Sequence, residues 1–163
     1  MSYRKEKRKD QILHVYDRGN RKEKICLDRK DHTFLYNLIT YHFQDNGFDL
    51  MSFCIMPNHY HILTVMRKNI DIGVVMQRIN SRYTKYFNKK YNFSGHLFQC
   101  PYKYKLINSC NHLRIVSTYI ENNLKEYKTK RRYPFLFKND FLTNYYIINF
   151  VEERASSIYP IGY

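Results

Sequence analysis

The stretch from Met56 to Val65, which reads Met-Pro-Asn-His-Tyr-His-Ile-Leu-Thr-Val, constrains the fold more than any other part of the chain. Apolar and β-branched residues after a Pro-Asn turn predict a buried strand. Because side chains alternate between the two faces of a strand, His59 and His61 should point to the same face. Two imidazoles about 7 Å apart along one face can bind one metal ion. The same spacing also fits two half-exposed histidines without a ligand. Other parts of the chain must therefore distinguish a metal site from two unliganded histidines.

The charge of the chain favours a polyanionic partner. Lys and Arg number 28 against 14 Asp and Glu, which gives a net charge of +14. An AT-rich genome alone enriches lysine, so the distribution of charge matters more than its total. The stretch from Ile72 to Ile120 contains no Asp or Glu, and nucleic acid is the natural ligand of such a surface. We expect these basic residues to contact DNA: Arg78, Arg82, Lys85, Lys89, Lys103, Lys105 and Arg114.

Length and composition indicate one domain without a membrane-spanning segment. A chain of 163 residues is long enough for one core and short for two. No apolar run is long enough to span a membrane, and the N-terminus lacks the pattern of a signal peptide. The cysteines have no paired spacing, so we expect reduced thiols in a cytoplasmic protein with no membrane partner. These cysteines are Cys26, Cys54, Cys100 and Cys110.

The order of apolar patterns predicts an α+β fold. Strand patterns alternate with helix patterns in the order strand, helix, strand, strand, helix, strand, helix. The strands are expected at about 11–16, 48–56, 56–65 and 96–107, with a bend at Pro101, and the helices after Asp28, over 71–91 and after Ser109. The simplest arrangement is a ferredoxin-like or RRM-like antiparallel sheet of four to five strands with helices packed on one face.

The second predicted helix carries a basic stripe. Arg78, Arg82, Lys85 and Lys89 follow one another by steps of four, three and four residues, so they share one face. An ordinary solvated face would look the same. The absence of any acid that could pair with them along this helix makes contact with phosphates an equally good interpretation.

Tyr119 and Asn123 lie four residues apart on the third predicted helix, which makes them neighbours on one face. A tyrosine hydroxyl is a poor nucleophile at neutral pH because its pKa is about 10. It can attack a phosphodiester if a divalent ion at His59 and His61 activates the phosphorus, and Asn123 could add an oxygen ligand to that ion. Tyr119 is, however, one of 17 tyrosines, and spacing alone would favour a packing role.

Several segments together resemble the single-tyrosine HUH transposases, and above all their REP-associated branch. The His-Tyr-His segment after Met-Pro-Asn is similar to their His-hydrophobe-His motif, and the resemblance extends over about residues 11–126. The other matching segments are His14 to Asn20, Ser81 to Asn88, Ser94 to Gln99 and Tyr119 to Asn123. Where that family often has Gly-Arg after Leu-Phe-Gln and Asn-Pro after the tyrosine helix, this chain has Cys100-Pro101 and Asn123-Leu124.

The resemblance implies an enzyme that cuts and rejoins single-stranded DNA with Mg or Mn and recognises imperfect DNA hairpins. It implies that His59, His61 and Asn123 are metal ligands and that Tyr119 is the nucleophile. The catalytic domain is expected at 11–130. The charged N-terminus indicates a basic arm at 1–10, and a tail at 131–163, which the resemblance does not cover, is expected to pack on or extend the domain. Whether the protein acts as a monomer or as a homodimer stays open.

Two other classes of protein stay open as alternatives. The first is a non-catalytic single-stranded nucleic-acid-binding protein that stacks bases on the tyrosines of an RRM-like sheet. The second is a small structural zinc protein, which the scattered cysteines disfavour. The co-occurrence of His59 and His61 with Tyr119 and Asn123 favours the enzyme.

Overall fold

The chain folds around one sheet of five strands. The computed structural model describes residues 10–99, 101–128 and 135–147, so Met1 to Lys9 of the predicted arm, Cys100, and much of the predicted tail lie outside the described residues. The strands are β1 (Ile12–Arg18), β2 (Phe48–Ile55), β3 (His59–Met66), β4 (Lys103–Ile107) and β5 (Phe135–Lys138). The helices are α1 (Arg29–Asp45), α2 (Ile72–Tyr91) and α3 (Cys110–Lys128), and residues 140–147 are also helical.

The sheet is antiparallel throughout and has the strand order β4-β1-β3-β2-β5. The predicted α+β class with an antiparallel sheet of four to five strands is confirmed. β3 occupies the centre, where His59 lies opposite Arg18 and His61 lies opposite Tyr16 on β1. β2 and β3 form a hairpin, and the backbone N–H of Met56 closes it by donating to the carbonyl of His59 at 2.8 Å.

Each face of the sheet packs against its own helical layer. Tyr60 and Ile62 point from β3 into a core shared with α1 and α2. Leu63 and Val65 point to the other face, where Leu113, Val116 and Ile120 of α3 cover them. The expectation that all helices lie on one face is therefore wrong for α3. The physical reason is that β3 is apolar on both sides, so that each side has to be shielded from water.

The helices begin at capping residues that the sequence indicates. The carboxylate of Asp28 caps α1 by accepting from the backbone N–H of Asp31 at 2.9 Å. The carboxylate of Asp31 in turn accepts from the backbone N–H of Asp28 at 3.2 Å. Asp71 caps α2 through the N–H of Gly73 at 2.9 Å, and Ser109 accepts from the N–H of His112 at the start of α3 at 3.2 Å. These bonds satisfy donors that a helix leaves unpaired at its first turn.

The predicted strand over 96–107 is shorter in the structure. β4 begins only at Lys103, and the earlier part contributes one isolated bridge between Phe98 and Gly19. Pro101 has no backbone N–H and therefore cannot continue a ladder of hydrogen bonds. Residues 96–99 instead lie at the end of β1 outside any named strand.

The described part of the tail adds to both the sheet and its packing. β5 pairs with β2, and Phe137 stacks on Phe53 with ring centroids 5.3 Å apart. Leu142, Tyr146 and Ile147 pack against the core on the α3 face. No helix in the described ranges is long and apolar enough to cross a membrane.

The cysteines in the described part of the chain are free thiols, as predicted. Cys26 and Cys54 are buried, and burial raises the pKa of each thiol to about 12. Both are therefore protonated packing residues at neutral pH, without the thiolate character that reactive cysteines need.

Replacing Asp31 with alanine should destabilise the fold strongly. Its fully buried carboxylate accepts from Lys90 Nζ at 2.7 Å, from Tyr91 Oη at 2.7 Å and from the N–H of Leu27 at 2.8 Å, and so ties the start of α1 to the end of α2. Asp31→Ala leaves these donors without their partner, and we expect a loss of roughly 3 kcal/mol in urea unfolding. Asp45→Ala, on the exposed end of α1, should change the free energy of unfolding by less than about 0.5 kcal/mol. Equal stability of the two variants would contradict this assignment.

Candidate active site

Four aromatic side chains cluster on the α3 face of the sheet, and three of them, Tyr16, His59 and His61, line a cavity. The register places His14 and Tyr16 of β1 beside His59 and His61 of β3, and all four share one face. The ring centroid of His61 lies 5.1 Å from those of His14 and His59 and 5.6 Å from that of Tyr16. The cavity has a volume of about 490 Å³, and its lining consists of Tyr16, Asp17, Arg18, Asn58, His59, His61, Gln99, Pro101, Lys103 and Tyr119.

Hydrogen bonds fix the orientation of both imidazoles on β3. Nδ1 of His59 donates to Oδ1 of Asn58 at 2.7 Å. Nδ1 of His61 lies 3.0 Å from Nε2 of His14. In the tautomer in which His61 donates this bond, both β3 histidines keep the lone pair on Nε2. Metal-binding histidines commonly have this arrangement, in which the second ring nitrogen donates to a neighbouring acceptor.

The histidines of the site favour their neutral forms. Burial lowers the pKa of His61 to about 3, and the neighbouring His14 and His59 act in the same direction. Burial lowers the pKa of His14 to about 4, and Lys105 and His112 contribute further. Burial and the charge of Arg18 also lower the pKa of His59. Because a metal ion binds the neutral imidazole, these rings are in the form that can coordinate one.

The separation of the two β3 imidazoles matches that of two rings bound to one divalent ion. An ion bound to one nitrogen of each ring at about 2.1 Å brings the ring centroids roughly 4.5–5.5 Å apart, and the observed separation of His59 and His61 is 5.1 Å. No group of three His, Cys, Asp or Glu side chains that could hold a metal occurs among the residues that the structure describes. A third protein ligand would therefore have to be another kind of donor, such as an amide oxygen.

The packing of α3 brings Tyr119 to this cavity. Val116 and Ile120 are buried against the sheet, and Tyr119, between them on the helix, stays 47% exposed. Its hydroxyl oxygen lies 3.4 Å from Nε2 of His61, and the two rings meet edge to face with centroids 5.1 Å apart. The structure thus places this hydroxyl beside the nitrogen that would bind an ion.

The structure places Asn123 one turn after Tyr119 but outside the cavity lining. Its Nδ2 donates to the carbonyl oxygen of Tyr119 at 3.0 Å, which leaves Oδ1 as the atom that could bind a ligand. The helix holds Asn123 on the same side as Tyr119.

Two tyrosines of α2 lie on the other side of the sheet. Tyr83 is fully buried in the core under α1 and α2, where its hydroxyl donates to the carbonyl of Ile25 at 2.7 Å. Tyr86 donates to the carboxylate of Asp31 at 3.1 Å on the same side of the sheet. Both are therefore separated from the histidines by the sheet.

Tyr16 is a cavity tyrosine that was not predicted as part of the site. It lines the cavity beside His61. The signal was available in the sequence, since Tyr16 follows His14 by two residues and so shares its face of the strand.

The basic residues predicted to bind DNA divide between the two sides of the sheet. Lys103 and Lys105 lie opposite Tyr16 and His14 and therefore share the face of the cavity. Arg114 is exposed on α3. The stripe on α2 belongs to the helical layer on the other face, where all four members are exposed. These members are Arg78, Arg82, Lys85 and Lys89.

Part of the stripe borders a second cavity, of about 520 Å³, between α1 and α2. Arg82 donates from Nη1 to Nε2 of His42 at 3.3 Å, and Arg78 donates to Oδ1 of Asn46 at 3.4 Å. Lys90 lies off the stripe and forms ion pairs with Asp28 and Asp31, so one cation of the acid-free stretch is paired with α1.

Comparisons with known proteins relate the sequence and the fold to transposases. The family model described as "Transposase IS200 like" matches residues 8–123. The structure of a REP-associated tyrosine transposase bound to a REP hairpin is similar, with a TM-score of 0.60 and 17% identity over 78% of this chain and 74% of that one. A protein described as a transposase from Deinococcus radiodurans R1 gives a TM-score of 0.52 and 16% identity over 75% of this chain and 97% of that one. No curated protein gives a significant match.

The two imidazoles yield a direct test of metal binding. Titration of the protein with Mn²⁺ or Zn²⁺ in a calorimeter should show one site, and His59→Ala or His61→Ala should weaken it by at least about 100-fold, because even groups that only support a ligand change affinity by 10–100-fold. His96→Ala removes an exposed histidine outside the cavity lining and should leave the titration unchanged. Unaltered binding by a correctly folded His59→Ala protein would show that the ion binds elsewhere.

Proposed function

Because the chain belongs to the IS200-like transposase family, we propose that it cuts and rejoins single-stranded DNA through a covalent 5′-phosphotyrosine at Tyr119. The observation that carries this proposal is the position of the Tyr119 hydroxyl, 3.4 Å from Nε2 of His61 in a cavity floored by two oriented imidazoles. In-line attack needs the nucleophile within a few ångström of the phosphorus, and the Tyr119 hydroxyl is at that range from the nitrogen that would hold the ion.

The proposed reaction divides among the residues of the cavity. His59, His61 and Asn123 would hold Mg or Mn, which when bound supplies positive charge beside the scissile phosphate. Tyr119 Oη forms a bond to phosphorus while the bond from phosphorus to the 3′ oxygen breaks. The phenol gives up its proton and the leaving 3′ oxygen gains one, so charge and atoms balance. Attack by a 3′ hydroxyl on the phosphotyrosine reverses these steps and rejoins DNA without ATP.

Hairpin DNA is the proposed substrate. A structurally similar protein is described as bound to a REP hairpin, and this chain has a net charge of +14. Lys103 and Lys105 flank the cavity on its own face, where they can contact the strand that is cut. The stripe on α2 lies behind the sheet, so it would contact a different segment of the DNA.

The arrangement of helices disfavours the alternative of a non-catalytic RRM-like binder. That mode of recognition needs an open sheet face on which bases stack. Here α3 packs on one face, and α1 and α2 pack on the other. Of the two tyrosines beside His61, the one with the shorter ring separation, Tyr119, comes from the covering helix rather than from a strand.

Removal of a single oxygen tests the proposed nucleophile. Tyr119→Phe keeps the ring and its packing, so it should retain DNA and metal binding and lose the covalent adduct with DNA on a denaturing gel. Tyr16→Phe is the matched control, because it removes the hydroxyl of the other tyrosine in the cavity lining and should keep the adduct. An adduct with the Tyr119→Phe protein would refute the assignment.

Salt dependence tests the stripe on α2. Paired substitution Arg82→Ala and Lys85→Ala should weaken binding across DNA sequences and reduce the slope of log K against log salt by about two. Lys24→Ala with Lys30→Ala removes two other exposed cations and should leave the slope almost unchanged. If the stripe substitutions leave the slope as it is, the phosphates follow another path over the surface.

A further inference from the structure

Arg18 occupies a position beside the candidate metal site. It lies directly opposite His59 in the register of β1 and β3, so it projects from the same face. The strands are about 4.8 Å apart at such a pair. Its Nη2 donates to Oε1 of Gln99 at 3.1 Å, and both side chains line the cavity.

The backbone holds this pair in place. The N–H of Gln99 donates to the carbonyl of Arg18 at 2.8 Å, and the N–H of Asn20 donates to the carbonyl of Leu97 at 2.8 Å. The irregular segment before β4 is thereby fastened to the end of β1. One wall of the cavity is thus built on paired backbone, which is the rigid support that a binding site needs.

The side chains around this wall offer donors and few free acceptors. Both carboxylate oxygens of Asp17 already accept bonds, from the N–H of Arg18 at 2.8 Å and from Nδ2 of Asn80 at 2.7 Å. Oδ1 of Asn58 accepts from His59. Because Oε1 of Gln99 faces Arg18, its amide NH₂ is the end left for a ligand.

The positive charge of Arg18 is not balanced by a carboxylate in an ion pair among the residues that the structure describes. Lys103 adds a second cation to the cavity lining, across Tyr16 from His61. A guanidinium with an adjacent amide donor matches the oxygens of a phosphodiester, which accept two parallel hydrogen bonds from such a fork.

We propose that Arg18 and Gln99, with Lys103 across the cavity, form a subsite for the phosphodiester adjoining the scissile one. The proposal rests on the proposed function, since it places the scissile phosphate at His59 and His61. Arg18 would hold the neighbouring phosphate on the His59 side, and Gln99 would keep the guanidinium in place and donate one further hydrogen bond. The subsite thereby fixes which bond of the strand lies in line with Tyr119.

A phosphate-by-phosphate binding assay tests this subsite. The probe is a DNA hairpin with short single-stranded tails, and each oligonucleotide carries one neutral methylphosphonate in place of a tail phosphate. Affinity is measured with EDTA on the Tyr119→Phe background, so that no cleavage occurs. One tail position should lower affinity by about 10-fold in the parent, as expected for a charge-assisted bond. The same position should have an effect below about twofold once Arg18→Ala is introduced.

Matched variants separate the specific contact from general charge loss. Lys30→Ala removes one exposed cation from α1 on the other side of the sheet and should show the same sensitive position as the parent. Arg18→Lys keeps the charge and removes the fork, so its sensitivity should be intermediate. Circular dichroism checks the fold, and Gln99→Ala, which removes the support of the guanidinium, replaces Arg18→Ala if that protein fails to fold.

The outcomes distinguish the subsite from the catalytic proposal. If the fold-changes caused by Arg18→Ala and by the methylphosphonate simply multiply at every tail position, the two changes are independent and the subsite is overturned. A parent protein with no sensitive tail position would also overturn it. If the wild type forms its covalent adduct while no coupling is found, the subsite falls and the proposed function stands. If coupling is found but the wild type forms no adduct with hairpin DNA, the subsite stands as a binding site and the proposed catalysis falls.

Discussion

The burial of both faces of β3 is the constraint on which the rest of the structure depends. The strand runs through the centre of the sheet, and from Tyr60 to Met66 every residue is buried. Tyr60 and Ile62 need the layer of α1 and α2, whereas Leu63 and Val65 need α3. Since α3 must cover the second face, its apolar stripe fixes its rotation, and that rotation turns Tyr119 towards His61. The same hydrophobic packing therefore stabilises the domain and assembles the candidate active site.

The division by the sheet also organises the charge of the molecule. Arg18, Lys103 and Lys105 lie on the face of the histidines, and the stripe on α2 lies behind the other face. A DNA strand that enters the cavity has to pass around an edge of the sheet before it can reach the basic stripe on α2. The proposed division is that the cavity residues hold the strand that is cut, while the stripe holds another segment of the same DNA through contacts that salt screens.

The sequence allows the alternating side chains of β3 and the capped helices to be predicted, because both depend on residues close together in the chain. Asp28 with Asp31 is one such local signal, and His59 with His61 is another. The side of the sheet that α3 covers, the strand β5 and the pairing of Arg18 with Gln99 were not predicted, since they depend on contacts between distant segments. The roles of Tyr119, His59, His61 and Asn123 remain predictions to which the structure adds distances.

Peptide mapping of the covalent adduct tests the central claim most directly. The wild-type protein would be incubated with Mn²⁺ and a DNA hairpin designed so that the fragment released with the 3′ hydroxyl is too short to rejoin. The protein would then be digested with protease and nuclease and analysed by mass spectrometry. The account predicts a nucleotide phosphate on the peptide that contains Tyr119, because its hydroxyl is the one 3.4 Å from Nε2 of His61. A nucleotide on Tyr16, or on a tyrosine beyond the sheet such as Tyr86, would contradict it.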